Sequence, residues 1–232
     1  MERSLQNVIT QPGLPLAHRV RDAGNGSTKG APCLILLHGV GANEANLIDF
    51  AARQDPRLTV ILARGPITFG PNQYGWFNVN FTSSGAVIHA VQAEQSRQAL
   101  IAFIDGLPAA YGVDPERIWI AGFSQGGILS ASVGLTRPDK IAGFGILSGR
   151  ILPEIAPLTA NAEALSKLCA FISHGVHDGK LSIDFARNAQ RLLAEKTVKP
   201  TYREYDAGHE LNEPMQRDFG QWITQQLDAA HT

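Results

Sequence analysis

A serine between glycines is the most chemically informative residue of the chain. Ser124 lies in residues 122–127, with the sequence Gly-Phe-Ser-Gln-Gly-Gly, which fits the pattern G-x-S-x-G. In this pattern a nucleophilic serine occupies a sharp turn between a strand and a helix, and small neighbours are needed because the two elements pass close together. An apolar run precedes Ser124 and small residues follow it. The pattern therefore predicts a nucleophile, and the alternative is a serine that only caps a helix.

A serine hydroxyl needs a base that takes its proton and an acid that orients the base. His209 follows the last predicted strand, and Asp178 follows a buried strand by one loop. The chain order Ser, Asp, His is the order of α/β-hydrolases. His177 is the main rival for the base, but it directly precedes Asp178 and its side chain should point elsewhere. The rival acids are Glu154, Asp184 and Asp206.

Acyl transfer also requires two backbone N–H donors for the oxyanion. Gln125 follows the serine at the predicted start of a helix, where the helix dipole is positive. The second donor should come from the glycine-rich loop of residues 38–41, most simply from the N–H of Val40. The alternative for this loop is an ordinary turn. We interpret His38 and His174, each followed by a glycine after a strand, as groups that shape loops.

A metal site is the competing interpretation of His174, His177 and Asp178. These residue types can bind metals, but no further group of His, Cys or carboxylate residues completes a site. We therefore predict no metal.

Strands and helices alternate along most of the chain and must position these residues. Apolar runs predict strands, and helical spacing predicts the longer helices, so the fold class is α/β, with a mostly parallel central sheet and helices on both faces. Ligands bind beyond the carboxyl ends of such strands, where Val40, Ser124, Asp178 and His209 all fall. The length of 232 residues predicts one domain over residues 1–232. The predicted strands cover residues 17–20, 33–37, 58–62, 118–121, 141–147, 168–172 and 201–205, and the clearest helices cover 43–54, 91–111 and 212–227.

Three local expectations concern the connections. Residues 24–30 are rich in turn formers and predict a hairpin connection. Residues 63–89 lack clear periodicity but carry several aromatic residues, which indicates an irregular segment that walls a pocket. Pro108 should bend or end the helix of residues 91–111 early.

Cys33 and Cys169 lie on strands that should be about three strand spacings apart, beyond disulfide reach.

Composition excludes several classes of protein. The 20 Lys and Arg residues nearly balance the 21 Asp and Glu residues, so no basic field would attract nucleic acid or anionic lipid. No apolar run approaches the length of a bilayer span, and residues 1–15 lack the apolar core of a signal peptide. We expect a soluble, cytoplasmic protein without nucleic-acid binding or stable membrane insertion.

With these residues in place, the sequence resembles the phospholipase/carboxylesterase family of α/β-hydrolases, which includes the acyl-protein thioesterases. The Gly-Phe-Ser-Gln-Gly-Gly stretch is the most specific of the matching pieces. The others are Leu-Leu-His-Gly-Val-Gly at 36–41, Gly-Trp-Phe at 75–77, Leu-Ser-Gly at 147–149, His-Gly-x-x-Asp at 174–178 and Gly-His at 208–209.

The resemblance implies an enzyme without metal or cofactor and without a large lid domain, which hydrolyses small-molecule carboxylic esters or thioesters, as some members hydrolyse lysophospholipids or acylated proteins. It also implies that Trp76 and Phe77, and Leu181 in the loop after the acid, lie at the substrate pocket, and it is compatible with a homodimer. The sequence departs from the family at Asn78, where an aspartate is usual, and at residues 179–182. Both departures lie on loops expected at the substrate pocket. They therefore affect the preference for the acyl chain more than the type of reaction.

The leading hypothesis is a serine esterase or thioesterase that works through Ser124, His209 and Asp178. A non-catalytic hydrolase-fold protein that binds a small ligand is the alternative from another class. An acyltransferase or peptidase would use the same residues.

Overall fold

The computed structural model describes residues 5–24, 29–82 and 85–229. Within these ranges the chain forms eleven strands, two pairs of which are short hairpins outside the main sheet. The strands are β1 His18–Arg21, β2 Ala31–Leu37, β3 Thr59–Ala63, β4 Ile67–Gly70, β5 Gln73–Gly75, β6 Val79–Thr82, β7 Gly85–Ile88, β8 Val113–Phe123, β9 Gly143–Leu147, β10 Cys169–Gly175 and β11 Pro200–Tyr205.

Seven strands form the main sheet in the order β1-β3-β2-β8-β9-β10-β11. β1 is antiparallel to β3, and every other neighbouring pair runs parallel. Cys33 on β2 and Cys169 on β10 are separated by β8 and β9, and both are free thiols, as predicted.

Helices pack on both faces of this sheet, which confirms the predicted architecture. A 3-10 turn at Glu44–Leu47, capped by the side chain of Asn43, leads into the first helix, so the helix predicted over residues 43–54 is shorter than expected. No helix of the described ranges is long and apolar enough to cross a membrane. The helices are α1 Ile48–Ala52, α2 Ala90–Tyr111, α3 Gln125–Thr136, α4 Ala162–Leu165, α5 Ile183–Glu195 and α6 Glu213–Ala229.

The central strand β2 shows why a continuous apolar run is needed. All seven of its residues are buried, because successive side chains point to opposite faces and both faces are covered. Cys33, Ile35 and Leu37 pack into the cluster that includes residues of α2, α3 and α5. Leu34 and Leu36 pack into the cluster that includes residues of α1 and α6. The two clusters hold the sheet rigid beneath the edge where its parallel strands end.

The predicted hairpin connection at residues 24–30 is wrong. β1 pairs with β3, which lies between β1 and β2, so the chain passes across β3 instead of turning back beside β1. β2 already has a parallel neighbour on each side and offers no free edge to β1. Residues 25–28 of this connection lie outside the described residues.

The sequence predicted an irregular segment over residues 63–89, and this prediction is wrong. The segment contains the hairpins β4–β5 and β6–β7. Its glycines and prolines mark turns between short strands. Tyr74 also pairs with the loop after β2: its N–H donates to Ala42 O, and its own carbonyl accepts from Gly41 N–H, each at 2.8 Å. This pairing fixes the loop that contains Val40.

Pro108 does not shorten α2, contrary to the prediction. The helix continues to Tyr111 and ends at Gly112, whose φ of 68° closes it with a hydrogen bond from Gly112 N–H to Pro108 O. Proline costs one helical hydrogen bond here, in the last turn. Burial of Leu107 and Tyr111 on either side of it offsets that loss.

A buried ion pair network stabilises the start of the segment that follows β2. The carboxylate of Glu44, which is fully buried, accepts hydrogen bonds from Arg64 Nε at 2.7 Å and Arg19 Nε at 3.0 Å. Burial by itself would raise the pKa of Glu44, but the hydrogen bonds from Arg64 and Arg19 outweigh it and lower the pKa from 4.5 to about 2.

We expect Glu44 to make folding stability depend on pH in acid. Because its pKa is lower in the folded than in the unfolded chain, its contribution is complete above about pH 4.5 and is lost as the pH falls towards 2, by about 3 kcal/mol. Urea denaturation of Glu44→Gln between pH 6 and pH 3 should show a flatter loss of unfolding free energy than the wild type. The exposed Glu154→Gln is the matched control and should keep the wild-type slope. Equal slopes in wild type and Glu44→Gln would contradict this assignment.

Candidate active site

Ser124 lies on the turn between β8 and α3. Its backbone has φ 55° and ψ −116°, a conformation that L residues rarely adopt and that is found where surrounding structure enforces it. Neighbouring glycines make the turn possible: a Cβ on Gly122 would lie 2.4 Å from Gly126 C, and one on Gly126 would lie 2.3 Å from Leu37 O. The Ser124 side chain makes no capping hydrogen bond, so the alternative of a helix cap is wrong.

The structure brings Ser124, His209 and Asp178 into one hydrogen-bonded row. His209 Nδ1 lies 2.6 Å from Asp178 Oδ2, and His209 Nε2 lies 2.9 Å from Ser124 Oγ. A carboxylate can only accept, so Nδ1 carries the proton and donates it to Asp178. In the neutral imidazole Nε2 is then the acceptor that faces the serine hydroxyl.

Asp178 accepts hydrogen bonds from backbone groups as well as from His209. Its Oδ1 accepts from the N–H groups of Lys180 and Leu181, each at 2.8 Å. Burial would raise the pKa of this carboxyl, but the hydrogen bonds from Leu181, His209 and Lys180 lower it below the ordinary value. His174 supports the same loop, because its Nε2 donates to Leu181 O at 2.8 Å and lies 3.2 Å from Asp178 Oδ2. The carboxylate is therefore ionised at neutral pH.

The rival side chains lie elsewhere. His177 Nε2 contacts Asp206 Oδ1 at 2.9 Å on the surface, where the side chains are 70% and 94% exposed. Asp184 is exposed in the first turn of α5, and Glu154 is exposed in a 3-10 turn. In the part of the chain that the structure describes, no three His, Cys, Asp or Glu side chains are grouped so that they could hold a metal ion.

The loop that contains Val40 lies against Ser124. A Cβ on Gly39 would lie 3.4 Å from Ser124 Cβ, which shows how closely this backbone approaches the serine. His38 fixes the loop as predicted, since its Nδ1 donates to Gly39 O and its Nε2 accepts from Gly65 N–H. Burial lowers the pKa of His38 and so favours the neutral ring that this pattern requires.

Gln125 contributes in a second way that the sequence analysis missed. Its backbone N–H is in the first turn of α3, where N–H groups have no partner within the helix. Its side chain reaches the segment after β5: Oε1 accepts from Trp76 N–H at 3.0 Å, and Nε2 donates to Phe77 O at 2.7 Å. The glutamine thus joins the turn of Ser124 to the neighbouring wall.

An apolar cavity of about 350 Å³ opens beside Ser124 and His209. Phe77 and Leu181 line it, in agreement with the sequence prediction. Trp76 does not: it is fully buried behind the wall, and its indole N–H donates to His38 O at 2.9 Å. The other lining residues are Gly39, Val40, Ala42, Val79, Ile88, Phe123, Gln125, Ile128, Arg150 and Lys180.

Comparison with known proteins identifies the family of the chain. A sequence model described as Phospholipase/Carboxylesterase matches residues 22–226. The chain belongs to this family. Membership of the phospholipase/carboxylesterase family makes the chain a hydrolase of carboxylesterase or acyl thioesterase type.

Relatives in the family are carboxylesterases and thioesterases. The carboxylesterase SOBER1 of Arabidopsis thaliana is 25% identical over 206 residues, which cover 84% of this chain and 90% of the relative. Acyl-protein thioesterase 1 of Mycosarcoma maydis is 29% identical over 191 residues, which cover 72% and 79%.

Solved structures show the same fold. The carboxylesterase of Mesorhizobium loti superposes with a TM-score of 0.80 at 24% identity, covering 94% of this chain and 99% of that one. The Bacillus cereus carboxylesterase gives 0.78 at 22% identity, covering 90% and 94%. The protein therefore has the predicted α/β-hydrolase fold.

Proposed function

We propose that the protein is a serine esterase whose catalytic residues are Ser124, His209 and Asp178. The observation that carries the proposal is the hydrogen-bonded row from Asp178 Oδ2 through His209 to Ser124 Oγ, at the wall of an apolar cavity. Such a row gives a serine the base that it lacks on its own.

The proposed reaction proceeds in two steps. Ser124 Oγ attacks the ester carbonyl while His209 Nε2 takes the hydroxyl proton, and the imidazolium is stabilised by the ionised Asp178. The N–H groups of Val40 and Gln125 donate to the oxyanion. His209 then gives its proton to the leaving alcohol or thiol. In the second step His209 takes a proton from water, which attacks the acyl-enzyme, and His209 gives that proton to Ser124 Oγ as the bond to the acyl group breaks and the acid is released.

The substrate class is a small carboxylic ester or thioester with an apolar portion. Support comes from the apolar cavity lining, with Phe77 and Leu181 among its residues, and from the carboxylesterases and acyl-protein thioesterases among the relatives. Turnover of one acyl group as p-nitrophenyl ester and as thioester would rank the two leaving groups. The single domain, the homodimer and the cytoplasmic location stay predictions.

A fluorophosphonate probe tests the nucleophile. We expect one covalent adduct, found by mass spectrometry on Ser124, because its hydroxyl faces His209 Nε2. Ser148 is an internal control: it ends the next strand with a similarly unusual φ of 50°, yet its Oγ contacts only the backbone oxygen of Glu210, at 3.4 Å. An unmodified Ser124, or equal labelling of Ser148, would overturn the proposal. Ligand binding without any adduct would favour the non-catalytic alternative.

A further inference from the structure

Two cations line the cavity beside Ser124. Arg150 follows the end of β9, and Lys180 lies in the loop after β10 that contains Asp178. Among the described lining residues there is no Asp or Glu, so the two cations bring positive charge to a mainly apolar wall. Hydrolysis of an ester requires no positive charge at that position, because the oxyanion is assigned to the N–H groups of Val40 and Gln125.

Arg150 is held in place but has no anionic partner. Its Cζ lies 5.0 Å from the centre of the Phe185 ring, on the first turn of α5. Its Nε is buried without a hydrogen bond, and nothing in the described ranges forms an ion pair with it. By contrast, Arg19 and Arg64 are paired with Glu44, and Arg97 is paired with Glu94. The partly buried Arg21 donates to backbone carbonyls, among them Ala51 O at 2.8 Å.

The Nε of Arg150 is an uncompensated buried polar atom, and a bound anion would place hydrogen-bond acceptors beside this guanidinium. Stacking on an aromatic ring fixes the plane of the guanidinium and leaves its N–H donors free at the edge. That arrangement suits the two oxygens of a carboxylate or phosphate, which arginine binds with two parallel hydrogen bonds.

Lys180 adds a second unpaired charge. Its side chain is exposed, and within the residues described it has no ion pair. Its backbone N–H, by contrast, donates to Asp178 Oδ1. Asp178 accepts hydrogen bonds from Lys180 and Leu181 N–H and from His209, and within the described residues it forms no ion pair with the side chain of Lys180 or Arg150.

We infer that the site hydrolyses esters that carry an anionic group, a carboxylate or a phosphate, which Arg150 binds with support from Lys180. The inference rests on the proposed serine esterase function. It names Arg150 as the main determinant of specificity, and the ester bond is cleaved by the same steps as in a neutral substrate.

Matched pairs of esters test the inference. Mono-p-nitrophenyl adipate carries a carboxylate on the acyl side, and methyl p-nitrophenyl adipate is its neutral partner. p-(Butyryloxy)benzoate carries the carboxylate on the leaving group, with p-(butyryloxy)benzamide as its neutral partner. p-(Butyryloxy)phenyl phosphate replaces the carboxylate by a phosphate, and p-(butyryloxy)benzamide is its neutral partner too. We expect the wild type to show a higher kcat/KM for the charged ester than for its neutral partner in one of these comparisons. That comparison identifies the anion as carboxylate or phosphate and its position as the acyl group or the leaving group.

Variants of the two cations assign the preference. In Arg150→Met the ratio of kcat/KM for the charged ester to that for its neutral partner should fall roughly 10- to 100-fold, through KM, because a charge-assisted contact is lost. Arg150→Lys should restore part of the ratio. Lys180→Met should lower it at most about fivefold, since the side chain is exposed. Lys167→Met removes an exposed charge outside the cavity and should keep the wild-type ratio.

Salt separates a binding role from a structural one. The ratio should decline in the wild type as ionic strength rises, and should change less in Arg150→Met. A wild type that hydrolyses neutral esters without preferring any charged partner would overturn this inference and leave the esterase proposal standing. So would an Arg150→Met variant with an unchanged ratio. Absence of hydrolysis in every arm would overturn the esterase proposal itself.

Discussion

Replacement of Ser124 by alanine is expected to lower kcat for p-nitrophenyl butyrate by roughly 10⁴- to 10⁶-fold, with a small change in KM. The hydroxyl oxygen is the atom that forms the acyl-enzyme, and it lies 2.9 Å from His209 Nε2, the base that takes its proton. The backbone of the turn should survive the change, because alanine keeps the Cβ and the Ser124 side chain makes no capping hydrogen bond. Stopped-flow assays should also show that the burst of p-nitrophenol is lost.

A control on the adjoining helix separates chemistry from folding. Ser132 is buried on α3, and its Oγ donates only to Ile128 O at 2.8 Å. Ser132→Ala makes the same chemical change outside the catalytic row and should keep kcat within about threefold of the wild type. If Ser124→Ala retained more than about one hundredth of the activity, another nucleophile would be at work and the proposed function would be wrong.

The convergence could be predicted for Ser124 and Asp178 because each follows an apolar run. His209 follows β11, where no residue is buried, and its place was predicted from the last strand and from the chain order Ser, Asp, His. Residues 118–122 of β8 and 170–175 of β10 are continuously buried, and apolar runs this short favour strands over helices. Once such runs are assigned to a parallel sheet, their carboxyl ends must meet at one edge. The sequence also argued against His177 as the catalytic base, because adjacent residues on an extended loop point in different directions. In the structure His177 contacts Asp206 at the surface.

Other features depend on packing between distant segments, which a single sequence does not contain. The sequence around Arg150 does not distinguish it from an arginine on the surface. In the structure it lines the cavity and contacts the ring of Phe185, which lies on α5. The sequence placed Trp76 at the pocket, but its indole N–H donates to His38 O and the side chain is buried behind the cavity. The course of β1 past β3 likewise follows from the lack of a free edge on β2.

Asp178→Asn should lower kcat roughly 10³- to 10⁴-fold by fixing His209 in the wrong tautomer. Asp178 Oδ1 accepts from two backbone N–H groups, those of Lys180 and Leu181. In the variant only the amide oxygen can accept those two bonds, so the amide NH₂ must face His209 Nδ1. Nδ1 is then the acceptor, and the ring proton moves to Nε2, which can no longer take the proton of Ser124. The loop geometry is kept while the base is lost.

The surface pair of His177 and Asp206 provides a matched control for that argument. It joins the same two residue types at 2.9 Å, in full contact with solvent and away from Ser124. Asp206→Asn should therefore leave kcat/KM within about twofold of the wild type, since solvent can stabilise either tautomer of His177. Asp178→Asn should still react with the fluorophosphonate, but far more slowly, while its circular dichroism and melting stay close to wild type. A variant with nearly wild-type kcat would mean that His209 needs no ionised partner, and the assignment of Asp178 as its orienting acid would fall.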